Sequence, residues 1–437
     1  MKETNKNTSE DKNKEDLTAL YQELDFSCEY SDNLPEILKR LNISIAFTSY
    51  QAGRLIFLRS DGESIDVNFT RFSRPMGLAA TENGLTLGVF SNIINFQRED
   101  GLLEMIKQPL QKIEDDITAP KISSPKSDKS TANQRGETPD FDKQLSAEQL
   151  AERKKDKEDF LDYQKKLYEP VDERVDACFI SRSVHYSGMI NIHDIAWGED
   201  GLWAVNSSFS CLCTIEPDFS FVPRWKPYFI SELVSEDRCH LNGMALIDGR
   251  PAYVTTFSKL DQQGAWRDGN RFDGTLMDVQ KNRIVLDGLA MPHSPRWQYD
   301  SVYFCNSGYG QVCCFDPETK QNRVIAELQG FTRGMDFYGP ILFVGLSKTR
   351  ASDVSMPAPL NEKFDQTYSG IWLLNTEEKN STEQKPIETI AQIMFTGNVD
   401  QIYDVAVIPN CSFPELIEPS HPRMRNHFCH PELQQLD

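Results

Sequence analysis

Six short runs of one shape recur along the 437-residue chain, and a repeat of this kind restricts the fold more than composition does. They are Pro75-Met76-Gly77-Leu78-Ala79, Ile192-His193-Asp194-Ile195-Ala196, Leu241-Asn242-Gly243-Met244-Ala245, Pro292-His293-Ser294-Pro295-Arg296, Thr332-Arg333-Gly334-Met335-Asp336 and Ile402-Tyr403-Asp404-Val405-Ala406. Each centres on a small or turn-forming residue, with one variable side chain before it and strand-like text after it. Behind His193 come Ile195-Ala196-Trp197, a turn at Gly198–Gly201, the strand text Leu202–Asn206, and further strands at Cys211–Ile215 and Phe219–Trp225. Behind His293 the plan repeats, with a turn at Gln298–Ser301, then Val302–Asn306, Gly310–Phe315 and Arg323–Leu328. Short β-rich runs punctuated by Gly, Asp, Asn and Pro signal strand–turn–strand units.

The spacing names the unit. His193 to Asn242 is 49 residues, Asn242 to His293 is 51 and His293 to Arg333 is 40, the range of a four-stranded propeller blade. The longer intervals, 70 from Arg333 to Tyr403 and 117 from Met76 to His193, carry insertions. These are Thr349–Tyr368 with the polar stretch Glu377–Lys385, and a segment near 107–170. Strand text at Ile43–Tyr50, Arg54–Leu58 and Ile65–Phe69 precedes the first run, and the last run gives an inner strand with no blade after it. Joining the two ends completes a sixth blade and removes the exposed edges of an open array. The fold class is therefore all-β: a six-bladed β-propeller closed between N- and C-terminal strands, with a partly disordered, partly helical insertion. The domain plan is a polar N-terminal extension over 1–40, the propeller over 41–410 and a tail over 411–437.

Within the insertion, Ala119–Pro139 is Ser-, Lys-, Thr- and Pro-rich and reads as disordered. Ser146–Tyr168 opens with a capping-box-like Ser146-Ala147-Glu148-Gln149 and reads as a solvated helix, a place for a protein partner or a tolerated loop. A formal net charge of −20 argues against nucleic acid, because phosphate neutralisation needs clustered Lys and Arg. The start of the chain is hydrophilic, and no apolar run is long enough to span a bilayer. Ten cysteines without an export signal read as reduced, packed thiols of a cytoplasmic protein, and none shows the paired spacing of a zinc site.

In a propeller the first strand of each blade lines the central channel, so residues entering those strands form a ring at one mouth. Here the ring carries Met76, His193, Asn242, His293, Arg333 and Tyr403. His193 and His293 are the candidate catalytic residues, as proton carriers near neutral pH. Arg333 offers a donor fork for carboxylate, phosphate or sulfate, Asn242 a donor and an acceptor, and Tyr403 a hydroxyl. Asn206 and Asn306, at the ends of the following strands, join them as ligand-binding candidates, and the Lys259–Asp273 segment with Trp266, Arg267 and Arg271 is a candidate lid. Asp194 and Asp404 follow one residue later, and alternation would turn them from the axis to hold backbone amides. A fixed cation with no carboxylate at the repeated position disfavours a metal cage, so no metal ligands are assigned. The chemistry favours an anionic or polyhydroxylated small molecule, bound and in the enzyme case transformed by a lyase, epimerase or hydrolase reaction. No pattern names a cofactor. The alternative is a protein-interaction scaffold with no catalytic activity.

The segments Asn191–Trp197, Phe209–Thr214, Arg238–Ala245, Met291–Trp297 and Gly330–Gly334 resemble a bacterial family of conserved hypothetical proteins without an established activity, some joined to tetratricopeptide repeats. The resemblance spans most of residues 40–410 and implies a propeller, while supplying no reaction. A more distant likeness is to the six-bladed gluconolactonase, regucalcin and strictosidine-synthase group, through Asn242-Gly243-Met244-Ala245. In those lactonases the ring holds a divalent metal through Glu, Asn and Asp. Here Asn242 matches one such position, whereas the others read His193, His293 and Arg333, a departure that points away from calcium-dependent lactone hydrolysis.

Overall fold

A computed structural model describes residues 25–110, 168–349, 358–377 and 387–429. The expected disorder of Ala119–Pro139, the helix opening at Ser146 and most of the Glu377–Lys385 stretch lie outside these residues. The chain forms two compact units, Met1–Asp100 with Asp176–Leu416, and Gly101–Val175 with Ile417–Asp437.

Six antiparallel sheets make the larger unit, a six-bladed β-propeller. Blade 1 is ordered from the axis outward as Asp404–Pro409, Ile43–Ser49, Arg54–Ser60 and Ile65–Arg71. Blade 2 runs Leu78–Thr81, Gly84–Gly88, Asn92–Arg98 and Ala177–Tyr186, with Pro414–Ile417 as a fifth strand. Blade 3 is Ile192–Gly198, Gly201–Asn206, Cys211–Thr214 and Val222–Trp225. Blade 4 is Leu241–Ile247, Arg250–Thr256, Gly274–Asp278 and Arg283–Leu289. Blade 5 is Pro292–Gln298, Ser301–Asn306, Gln311–Asp316 and Gln321–Glu327. Blade 6 is Phe331–Tyr338, Ile341–Ser347, Gly370–Asn375 and Thr389–Phe395, with Cys28–Tyr30 on its outer edge. In blades 4 and 5 the inner hairpin is short because its turn matches the strand twist: Asp248-Gly249 and Tyr299-Asp300 both have positive φ at their two central residues.

The closure is as the sequence implies. Ile43–Thr48 pairs residue by residue with Pro409–Asp404, and the two short edge strands bind the termini into blades 6 and 2 as well. The largest apolar cluster sits at this seam, where Ile45, Phe47 and Ile56 of blade 1 meet Phe343, Ile371 and Ile393 of blade 6. A helix, Leu34–Leu41, buries Leu34 and Leu38 there and ends on Asn42 in the left-handed region. No disulfide joins any of the ten cysteines, and eight of them are buried. Among the described residues no helix is long and apolar enough to cross a membrane.

In the smaller unit the buried Arg423 donates to the carbonyls of Met105, Gln108 and Glu169. The tail thus ties together the two ends of the insertion.

Candidate functional site

Four of the six runs enter the channel through the same backbone kink. The residues just before them, Arg74, Asn191, His240 and Met291, have φ of 46°, 50°, 51° and 50°. Non-glycine residues take this left-handed conformation at a cost and only where the surroundings hold it. In two blades the kink has a visible consequence. It turns the carbonyl of Asn191 to within 2.9 Å of His193 Nδ1 and that of Met291 to within 3.0 Å of His293 Nδ1. A serine after the second strand supports each ring, Ser207 Oγ at 2.7 Å and Ser307 Oγ at 2.8 Å.

These contacts assign the tautomers. A carbonyl only accepts, so the proton lies on Nδ1 of both imidazoles and Nε2 carries a bare lone pair. Ser207 cannot supply that proton, since its hydroxyl already donates to the Leu241 carbonyl. Burial, reinforced by the charge of Arg333 and by His240, pushes both imidazoles well below their ordinary range, so they are neutral at pH 7.

The ring residues come together through their faces. Arg333 lies over the Tyr403 ring, its guanidinium carbon 3.6 Å from the centroid. Tyr403 is 5.5 Å from the His193 ring and 5.9 Å from Tyr50. His193 meets His240 edge-on at 4.6 Å, and Phe257 links His240 to His293 at 4.7 and 5.1 Å. The Tyr403 hydroxyl is buried beside the same guanidinium, which faces its oxygen, and its own hydrogen meets no acceptor. Asn242 donates Nδ2–H to the Pro292 carbonyl at 2.7 Å, which fixes its amide and leaves the buried Oδ1 without one. Arg333, partly exposed, forms no ion pair among the described residues.

The other predicted residues sit elsewhere in the architecture. Met76 is buried, and its carbonyl accepts from Thr48 Oγ1 at 2.6 Å. Asn206 Oδ1 accepts from the Phe209 amide and Asn306 Oδ1 from the Ala290 amide, so both hold turns. His240, outside the six repeated positions, faces His193 and is oriented by Asp237 at 2.9 Å. Trp266 of the Lys259–Asp273 segment stacks on His240 at 3.9 Å and donates to Asp237 at 2.9 Å. The proximity of His240 to a run, one residue before Leu241, was its sequence signal.

One expectation is corrected. Asp194 and Asp404 do not turn from the axis: a bulge where Ile195 and Ile192 pair with Ala204 and Asn206 breaks the alternation at Asp194, and Asp404 is the first residue of its strand. Asp194 from blade 3 and Asp404 from blade 1 both reach Arg296 of blade 5, at 2.9 and 3.5 Å, and a residue touched from three alternate blades lies on the axis. They do accept backbone amides, but from the next blade: Asp404 from Leu78 and Asp194 from Met244. One guanidinium cannot neutralise every neighbouring carboxylate, and burial with the charge of Asp194 pushes Asp404 up to about 8. Below this plug a cavity of ≈ 390 Å³ opens toward the far mouth, walled by Trp197, Leu246, Trp297 and Phe337 and lined also by Asp194, Arg296 and Asp336. Among the described residues no three His, Cys, Asp or Glu side chains group to hold a metal ion.

Comparison with known proteins identifies a family. The profile described as "Domain of unknown function (DUF4915)" matches residues 32–124 and 148–417. The chain belongs to the DUF4915 family. The match of this DUF4915 chain includes every strand of the propeller's inner ring and skips 125–147, inside the polar insertion. No curated protein matches it. Among solved structures, the crystal structure of a nidogen/laminin complex covers 84% of this chain and 99% of its own at 8% identity and a TM-score of 0.44. A computationally designed protein, Ika8, covers 82% and 74% at 7% identity and a TM-score of 0.30.

Proposed function

We propose that this propeller binds a small anionic molecule at the mouth where its inner strands begin, with Arg333 as the anion's anchor. The observation that carries the reading is the state of Arg333. It is partly exposed, stacked on Tyr403 and without a carboxylate partner among the described residues, while its charge bears on His193 and His293. A guanidinium so held is preorganised, since its plane is fixed and one face is already desolvated by the ring. The Tyr403 hydroxyl beside it, its hydrogen without an acceptor, adds a donor. His193 and His293, kept neutral, suit hydrogen-bond acceptance, and in a reaction they would take a proton at Nε2 rather than deliver one. Trp266 and Phe257 screen the mouth from water and strengthen its electrostatics.

The test is calorimetric titration with small carboxylates, phosphates and sulfate esters at fixed ionic strength. Saturable binding is expected for at least one class, and Arg333→Gln should weaken it at least tenfold, since hydrogen bonds to a charged group contribute about 1.5–3 kcal/mol. Arg250→Gln, at an exposed pair with Glu199, should leave it unchanged. Equal affinity in the wild type and Arg333→Gln would remove the anion reading.

A further inference from the structure

Resting on that anion site, we infer that its ligand is a polyol bearing the anionic group, held by its charge at Arg333 and by its hydroxyls at Asn242, His193 and His293. The mouth is divided by hydrogen-bond sense. On one side stand donors, the guanidinium of Arg333 and the O–H hydrogen of Tyr403, which has no acceptor. On the other stand acceptors only. Asn242 Oδ1 is free because Nδ2 is committed to the Pro292 carbonyl, and Nε2 of His193 and of His293 is bare because Nδ1 is committed to a carbonyl.

Asn242 and Tyr403 are 3% and 5% exposed, so their open valences lie inside the protein where an unmet polar atom is costly. A plain carboxylate or inorganic anion satisfies the donor side and sets its own lone pairs against three acceptors. An ammonium would satisfy the acceptors, but the charges of Arg333 and Arg74 that disfavour protonation of His193 disfavour that cation too. Neutral hydroxyls meet the acceptors without adding charge, and an anion on the same molecule meets the donors. Sugar acids and sugar phosphates share this chemistry.

Matched pairs test it. Glucuronate is compared with cyclohexanecarboxylate, glucose 6-phosphate with cyclohexyl phosphate, and methyl glucoside serves as the uncharged polyol, all by calorimetry on the full chain. In at least one series the hydroxylated member should bind at least roughly tenfold more tightly than its deoxy partner, as expected of a site built to hydrogen-bond hydroxyls. Asn242→Leu should shrink that ratio and leave the affinity for the deoxy anion nearly as it was. A wild-type measurement covers the case in which the variant fails to fold. Histidine ¹⁵N resonances should place an unprotonated Nε2 on His193 and His293, shifted by the hydroxylated ligand and not by its deoxy partner. Equal binding within both pairs, or protonated Nε2 atoms, overturns the polyol inference and leaves the anion site standing. No binding by either anion series, or methyl glucoside binding as tightly as the anions, overturns both.

Discussion

At the mouth of the channel the Arg333 guanidinium stands in the cluster of rings formed by His193, His240, His293, Tyr50 and Tyr403, and its charge acts on the two imidazoles His193 and His293. For His193 and His293 burial and that charge act in the same direction, against the imidazolium. In the unfolded chain both imidazoles titrate near 6.5, whereas in the folded chain they resist the proton until much lower pH. Their contribution is thus fully present above about 6.5 and is lost as pH falls below it, at up to about 1.4 kcal/mol per imidazole per pH unit. Urea unfolding at a series of pH values should show wild-type stability dropping below that point. In the His193→Asn/His293→Asn double variant the difference from wild type should narrow as the pH is lowered, and a pH-independent difference would contradict neutral imidazoles. The residue types of this ring were legible in the sequence because they occupy one repeated position. The tautomers were not, since they depend on carbonyls swung round by the left-handed Asn191 and Met291, and a methionine type gives no sign of that conformation.

Among the inner strands, the middle residue of the six runs proves to be an alternating device. Read round the ring from blade 1 it is Asp404, Gly77, Asp194, Gly243, Ser294 and Gly334. Each Asp or Ser reaches forward to a backbone amide of the next blade: Asp404 to Leu78, Asp194 to Met244 and Ser294 to Gly334, at 2.9, 3.0 and 3.0 Å. Each glycine in turn lies against the backbone of the following blade. A Cβ at Gly77 would stand 3.2 Å from Asp194 Cα, and one at Gly334 2.8 Å from the Val405 nitrogen. Gly334 also has φ of 77°, so Gly334→Ala meets both a clash with backbone and left-handed strain. It should cost at least about 2 kcal/mol in a urea melt. The control Gly101→Ala, with open space around its Cβ, should cost far less, and similar losses for the two would refute the packing. The sequence displayed this alternation only as "small or turn-forming", because the partner of each residue lies in a different blade. A bulge in the Ile192–Gly198 strand explains why strand alternation misdirected Asp194, while Asp404 stands at the first position of its strand.

For the propeller as a whole, the closure, the plug and the two mouths form one arrangement. The six-blade count and the shared blade 1 were readable from the run spacing and from the unpaired strand text at both ends. The extra strands Cys28–Tyr30 and Pro414–Ile417, each short and flanked by irregular chain, were not. On the axis Arg296 joins Asp194 and Asp404 and also donates to the Met335 carbonyl, so contacts from four blades block the channel. One end is thereby left with the Arg333 cluster and the other with the ≈ 390 Å³ cavity. The two ends differ in charge: the first has the Arg333 guanidinium with no acid partner among the described residues, whereas at the second Asp194 and Asp336 outnumber Arg296. An anionic ligand is therefore expected at the first and not at the second. The most direct measurement is a crystal structure of the protein with the tightest-binding member of the glucuronate and glucose 6-phosphate series. The expected result is its anionic group on Arg333 with a hydroxyl within hydrogen-bond distance of Asn242 Oδ1. A ligand found instead in the cavity between Trp197 and Trp297, with Arg333 unengaged, would contradict it.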